Sequence, residues 1–235
     1  MKIFIFSVLM LINFSPIKAQ RQQTLNAKQM SIVSIAAFTA KGNLPQLKIA
    51  FHGGLDAGMT ISEIKEMMIH LYAYCGFPRS LNGINTFMAV IDERKAKGLP
   101  TANGIVPNSV KAVHKYDLGK NTLAELTGRV SSGPPRGYAA FVPAIDTMLK
   151  EHLFADVFGR GVLTNQEREL TTVSALVSLG GVDSQLSAHL GVAMHNGLSK
   201  EQLQEMLVIQ EEKVGKAEAD AGRLVLDGVI KRQKQ

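Results

Sequence analysis

The sequence contains a single cysteine, Cys75, and no tryptophan among its 235 residues. A lone cysteine excludes an internal disulfide, so this chain cannot be a small fold stapled by disulfide bonds. Aromatic residues make up only 6% of the chain, whereas hydrophobic residues make up 46%. The chain is therefore long enough and apolar enough to be held together by a sizeable core.

Strand patterns are also missing. No stretch shows the sustained alternation of apolar and polar residues that a half-buried strand requires. Apolar residues instead recur at helical spacing, and glycines punctuate the runs. We therefore predict an all-α protein.

Several kinds of functional motif are absent. No group of His, Cys, Asp and Glu has the spacing of a zinc site. The Gly159-x-Gly161 pair does not follow a strand, so it carries no dinucleotide signal. We expect neither a metal nor a cofactor.

The chain is basic, with a formal charge of +6. Its basic residues do not form a stripe interleaved with aromatic residues, so we expect no nucleic-acid partner. The first 19 residues resemble a secretory signal: Lys2 precedes an apolar run at 3–14, and Ala19 ends a plausible cleavage site. We predict a secreted or periplasmic protein with no membrane attachment after cleavage; the alternative is a buried N-terminal helix.

The stretch 168–210 shows the helical pattern most clearly. A Gly-Gly break separates two apolar helices, Asn196-Gly197 ends the second, and a Ser-x-x-Gln capping box from Ser199 opens a third. Two polar side chains interrupt the apolar faces, namely Glu169 and His189. These two residues are the first candidates for a functional site.

The same order of helices and breaks occurs twice. Three pairs of residues share an offset of 139 positions: Leu47 with Leu186, Gly58 with Gly197, and Thr60 with Ser199. We interpret the chain as a tandem duplication, with a first copy at 20–98 and a second at 146–235. The segment 99–145, rich in Gly, Pro, Asn and Ser, is then a surface linker, and a helix is predicted from Asp146 to near Gly159.

Two motifs carry a family resemblance. Arg168-Glu169-Leu170 is followed by Ser187-Ala188-His189, and the first copy contains Tyr74-Cys75-Gly76-Phe77-Pro78. Together they resemble the carboxymuconolactone decarboxylase family, which includes decarboxylases and alkylhydroperoxidase D-type thiol antioxidants. The resemblance implies an alkylhydroperoxidase D-like helical module in each copy, and a homo-oligomer that would be a trimer of two-copy chains.

The two copies differ in what they retain. The helix that precedes the three offset pairs is one residue out of step, with Leu25 matching Leu163 at an offset of 138. The positions of Glu169 and His189 are therefore occupied by Ser31 and Ala50 in the first copy. The second copy in turn lacks the Gly-Phe-Pro stretch. We therefore expect one composite site per chain rather than two. The thiol antioxidants of the family have a Cys-x-x-Cys motif before the helix histidine. Here Val182 and Gln185 stand at the two cysteine positions before His189. We therefore expect this chain to lack the disulfide-forming cycle of those antioxidants.

The resemblance and the residue chemistry together predict a cofactor-independent lyase acting on a small acidic lactone or related carboxylate. We assign Glu169 to proton transfer, His189 to protonating or stabilising the intermediate, and Arg79 to holding the substrate carboxylate. Further substrate-binding candidates are Tyr72, Tyr74 and His195.

Two alternatives remain open. Cys75 could instead act as a peroxide-reducing thiol, although a lone cysteine on an apolar face is commonly a core residue. The chain could also be a non-enzymatic oligomeric binding protein, with His189 and Glu169 as satisfied core groups. The remaining histidines, including His52 and His70, have no partner that the sequence identifies.

Overall fold

A computed structural model describes residues 24–111, 113–130 and 133–233. Within these ranges the chain forms ten α-helices, one π-helix and one 3₁₀ turn, with no strand. The predicted all-α class is therefore confirmed. No helix in these ranges has both the length and the apolar character needed to cross a membrane. The predicted signal at 1–19 lies outside the described residues.

The first copy contains three helices: α1 (Ala27–Lys41), α2 (Leu44–Asp56) and α3 (Ile61–Ala96). Asn26 opens α1 through a capping box with Gln29. A capping box between Thr60 and Glu63, of the kind that the sequence also shows at Ser199, opens α3, with the Glu63 carboxylate accepting from the Thr60 N–H at 2.8 Å. Capping boxes satisfy backbone donors that would otherwise lack partners, which explains why these helices begin where they do.

Helix α3 changes direction at Gly76, whose φ of 84° and ψ of 158° are not helical. The helix is therefore broken just before Pro78, and helical structure resumes on the far side of the break. This conformation is accessible almost exclusively to glycine. The break places Tyr74 and Cys75 in the last turn of the first half of α3.

The second copy repeats the first: α7 (Asn165–Leu179), α8 (Asp183–His195), α9 (Lys200–Lys213) and α10 (Lys216–Gln233). Helices α1 and α7 each have 15 residues, and α2 and α8 each have 13. Gly58 and Gly197, paired by the offset, have φ angles of 88° and 95°. The halves of α3 correspond to α9 and α10, which are separate helices because the chain breaks at Gly215.

Helices α1 and α7 pack against each other at the centre of one continuous core. Two glutamates at equivalent positions, one in each copy, accept hydrogen bonds from the segment that leads into the other copy. Glu66 on α3 accepts two hydrogen bonds from Arg160, at 2.7 and 2.8 Å. Glu205 on α9 accepts from the backbone N–H groups of Thr24 and Leu25, at 2.6 and 2.8 Å. The two copies therefore form a single interlocked unit.

The segment between the copies is more ordered than the sequence indicated. It contains α4 (Lys115–Thr127) and α5 (Tyr138–Phe141), and α4 packs along the helix that follows. That helix was predicted to start at Asp146, which is wrong by a few residues. It begins as α6 (Pro143–Thr147), because proline is well suited to a first helical turn, and it continues as a π-helix over Met148–Val157.

Candidate active site

Glu169 and His189 lie together between α7 and α8. A capping box from Thr164 starts α7, and the positive φ angles of Gly180 and Gly181, 69° and 70°, turn the chain back into α8. This helical hairpin brings the Glu169 Oε2 atom to 2.9 Å from the His189 Nδ1 atom. The Glu169 side chain is 1% exposed, whereas that of His189 is 21% exposed.

The geometry assigns different roles to the two ring nitrogens of His189. An ionised Glu169 can only accept, so the Nδ1 atom must carry a proton and donate it. The Nε2 atom has no hydrogen-bond partner among the described residues. A carboxylate thus fixes the ring orientation and tautomer, while the second nitrogen stays free to exchange a proton.

Tyr74 joins the first copy to this pair. Its ring meets the His189 ring edge to face, with centroids 5.3 Å apart. Its hydroxyl is buried and has no partner at good hydrogen-bond geometry among the described residues, although the Thr172 side chain lies close enough to oppose the rise in its pKa. Burial, followed by the charge of Glu169, raises the pKa of Tyr74, so this phenol stays protonated at neutral pH. A buried phenol without an acceptor is a donor available to a bound ligand.

Behind Tyr74 lies His70, which is fully buried. Its Nε2 atom is 2.8 Å from the Thr172 hydroxyl, and its ring centroid is 5.0 Å from that of Tyr74. The Thr172 hydroxyl donates to the Arg168 carbonyl at 3.0 Å, so it accepts from His70. Burial, then the charges of Arg168 and His189, hold the pKa of His70 well below its usual value. His70 is therefore a neutral, Nε2-protonated imidazole.

Arg168 is the charged residue of this buried layer. Its guanidinium lies over the Phe158 ring at 4.9 Å, and its Nη1 atom is 3.4 Å from the His70 Nδ1 atom. The Nη2 atom is buried without a partner. Burial lowers the pKa of Arg168 to about 10, and the charge of Glu66 opposes that shift. Arg168 therefore remains a cation, partly compensated by Glu66.

Cys75 and Arg79 follow Tyr74 across the helix break. The Cys75 thiol donates to the Leu71 carbonyl at 3.2 Å. Burial raises its pKa to about 11, although the nearby charge of Arg79 acts in the opposite direction. Arg79 is half-buried and forms no ion pair among the described residues. Cys75 is therefore a protonated thiol at neutral pH.

The remaining sequence candidates lie elsewhere. Tyr72 stacks on Phe77 with ring centroids 4.5 Å apart, and its other neighbour is His152. His195 is exposed at the end of α8, where its ring packs against Gly128. Among the described residues neither side chain contacts Glu169 or His189, so the geometry groups only Tyr74 with that pair.

The equivalent location in the first copy carries no comparable chemistry. Ser31 and Ala50 stand where the second copy has the acid and the imidazole. At an offset of 139, Ile209 and Lys213 of the second copy stand where the first copy has His70 and Tyr74. Ser31 merely donates to the Ala27 carbonyl of its own helix.

A comparison with models of known protein families finds one family that matches two regions of the chain. The model described as "Carboxymuconolactone decarboxylase family" matches residues 12–87 and 143–227, which together exceed half of the chain. The chain belongs to the carboxymuconolactone decarboxylase family. The two matched regions agree with the duplication inferred from the 139-residue offset. No curated protein sequence matches this family member.

Sequence reasoning missed three residues of the buried layer in this family member: His70, Thr172 and Arg168. A signal for them was present, since His70 and Tyr74, like Arg168 and Thr172, are four positions apart and share a helix face. No group of three or more His, Cys, Asp and Glu side chains that could hold a metal occurs in the described part of the chain.

Proposed function

We propose that Glu169 and His189 form a catalytic acid–base pair of a cofactor-independent carboxy-lyase acting on a small lactone or related carboxylate. The observation that supports this most is the 2.9 Å contact between a buried carboxylate and a partly exposed imidazole whose Nε2 atom is free. A carboxylate that orients a histidine, while the other nitrogen meets substrate, is a recurrent arrangement for proton transfer.

The chemistry of decarboxylation suits such a pair. When the carbon–carboxylate bond breaks, CO₂ leaves and the electron pair remains on carbon, delocalised into an adjacent carbonyl as an enolate. Protonated His189 then adds a proton to that carbon from its Nε2 atom, and solvent restores the proton. In this proposal Glu169 positions His189 rather than moving a proton to substrate itself, because the carboxylate is enclosed.

Two residues of the first copy complete the proposed composite site. The unpartnered Tyr74 hydroxyl can donate to the developing enolate oxygen, which is the kind of preorganised donor that stabilises charge in a transition state. Arg79, free of ion pairs among the described residues, can hold the substrate carboxylate through its planar fork. Decarboxylation requires that this carboxylate be held and then released as CO₂.

The antioxidant alternative finds less support. A peroxidatic cysteine must ionise easily, whereas burial raises the pKa of Cys75 to about 11. The non-enzymatic alternative would require the acid and imidazole to be sealed by internal hydrogen bonds. Glu169 meets that condition, but His189, with one nitrogen free, does not.

A substrate panel tests the proposal. Carboxylated lactones, and separately an organic hydroperoxide, are incubated with the wild type, with Glu169→Gln and with His189→Ala. We expect turnover of at least one lactone and a loss of about 100-fold or more in kcat for each variant. His52→Ala, at a half-exposed site on α2, is the matched control and should keep its activity. Unchanged turnover in the folded His189→Ala protein would exclude the assignment.

We also propose that the chain is a secreted homo-oligomer. Four large apolar side chains of the first copy are more than half exposed: Ile49 at 63%, Phe77 at 62%, Leu81 at 54% and Met88 at 60%. Such exposure is typical of a surface that is covered in an assembly. Light scattering of the mature protein should give the mass of a trimer, and N-terminal sequencing should find a start near residue 20.

A further inference from the structure

A large cavity lies away from Glu169 and His189, on the side of the linking segment. It has a volume of about 1360 Å³ and lies between α4 with residues 128–130 and 133–136 on one side and α8 with α10 on the other. We call it the basic cleft, because its walls carry Lys120, Arg129, Arg136, Lys150 and Arg232 but only one carboxylate, Asp146.

Two of the five cations are fixed by neighbours. The Lys150 ammonium binds Asp146 and the Tyr116 hydroxyl, which neutralises the single carboxylate. Arg232 donates to the Ser187 hydroxyl at 2.7 Å, which anchors the guanidinium without cancelling its charge. The basic cleft therefore keeps an excess of positive charge after its internal contacts are counted.

The other three cations are uncompensated. Lys120 on α4, and Arg129 and Arg136 in the residues after it, line the same side of the cleft, and none of them forms an ion pair among the described residues. Like charges that face one cavity repel each other, and an anion inside it would relieve that repulsion. Two tyrosines of the wall, Tyr116 and the exposed Tyr138, add aromatic surface and hydroxyl groups.

The basic cleft is separate from the acid–base pair. Helix α8 contributes Ser187, Gly191 and His195 to it, and these residues share one face of the helix at four-residue spacing. His189 lies on another face of α8 and turns toward Glu169 and Tyr74. A ligand of the cleft therefore contacts the same helix without occupying the catalytic position.

We propose that the basic cleft is a second binding site, for a small organic or inorganic molecule that carries several carboxylate or phosphate groups. Arginine and lysine bind both kinds of oxyanion by charge-assisted hydrogen bonds, so the shared chemistry is a multiply charged oxyanion. A concave pocket with converging cations suits a compact anion better than an extended polymer, which would need a basic stripe along the surface.

Isothermal titration calorimetry of the full chain at an ionic strength of about 0.1 M tests this site, with citrate as one probe and inorganic pyrophosphate as the other. We expect at least one of them to bind, and the stronger of the two identifies the carboxylate or phosphate class. The triple variant Lys120→Gln, Arg129→Gln, Arg136→Gln should bind that probe about tenfold more weakly.

The matched control removes the same charge elsewhere. Lys65, Lys95 and Lys97 are exposed and lie outside the basic cleft. The triple Lys→Gln variant at these positions should change affinity by no more than about twofold, because distant surface charges are screened. An equal loss in both triple variants, or no binding of either probe to the wild type, would overturn the proposal. Neither result depends on lyase activity, so the two proposals can fail separately.

Discussion

The imidazole of His189 and the phenol ring of Tyr74 meet edge to face, with centroids 5.3 Å apart, although they belong to different copies of the duplicated module. Each copy alone would have only part of this arrangement. The second copy supplies the acid and the imidazole, and the first copy supplies the phenol. Because α3 and α7 pack together in the core, the duplicated chain can build one site from two diverged halves.

The buried Tyr74 hydroxyl provides the first prediction. The hydroxyl has no partner at good hydrogen-bond geometry among the described residues, and nearby Thr172 keeps its bonds to His70 and the Arg168 carbonyl without it. Removing the hydroxyl therefore leaves no new unsatisfied group and removes its own desolvation penalty. We expect Tyr74→Phe to keep the free energy of unfolding within about 1 kcal/mol of the wild type, or to raise it. Urea denaturation followed by circular dichroism measures this. Tyr74→Ala, which also removes the ring, should lose about 3 kcal/mol or more; a comparable loss in the Phe variant would show that the hydroxyl is bonded.

His70 makes stability depend on pH. Its folded-state pKa is lowered from 6.5, chiefly by burial and then by Arg168 and His189, so the unfolded chain binds more protons. The free energy of unfolding therefore keeps the full contribution of a neutral His70 above about pH 6.5. It decreases as the pH falls below that value, by at most about 1.4 kcal/mol per pH unit. Urea denaturation between about pH 5 and 7.5 should show this decline.

Replacing His70 isolates its share of the decline. His70→Gln keeps an N–H donor for Thr172 but cannot titrate, so its stability should fall less steeply on acidification than that of the wild type. His114→Gln, at an exposed position without an ion pair among the described residues, should keep the wild-type steepness. Identical slopes for the wild type and His70→Gln would mean that His70 does not titrate between the folded and unfolded states.

Cys75 should behave as an unreactive thiol. With a pKa raised to about 11 by burial, its thiolate fraction at pH 7 is about one in ten thousand. We expect alkylation by iodoacetamide, followed by mass spectrometry, to be slow at pH 7 and to accelerate steadily toward pH 10. The same protein in urea, where the thiol has its ordinary pKa, is the control. Rapid alkylation of the folded protein at pH 7 would revive the antioxidant interpretation.

Local signals in the sequence predicted much of the fold. The capping boxes at Thr60 and Ser199 and the glycines at the helix ends depend on neighbours within a few residues, so short patterns were enough to find them. The pairing of Glu169 with His189 followed from the family motif and from two adjacent helices. These features involve contacts that a helix and a tight turn impose locally.

Features that depend on distant packing were not predicted. His70 and Thr172 are 102 residues apart, and their contact exists only because α3 crosses α7 in the core. The helical order of the linking segment likewise depends on α4 packing along the π-helix, while its Gly and Pro content indicated a loop. The closeness of Glu169 and His189 was therefore predictable, whereas the polar layer behind them was not.

The break in α3 supplies the last prediction. Gly76 has φ 84° and ψ 158°, and a Cβ atom there would meet only the Pro78 Cδ atom, at an ordinary 3.6 Å. The cost of Gly76→Ala is therefore backbone strain rather than a clash, and we expect a loss of about 1–3 kcal/mol in the free energy of unfolding.

Gly53, inside α2 with open space around it, is the matched control. Gly53→Ala should raise stability by about 0.5–1 kcal/mol, because alanine favours a helix interior. If both variants were stabilised, the chain at Gly76 would be helical and the break that positions Tyr74 and Arg79 would not exist.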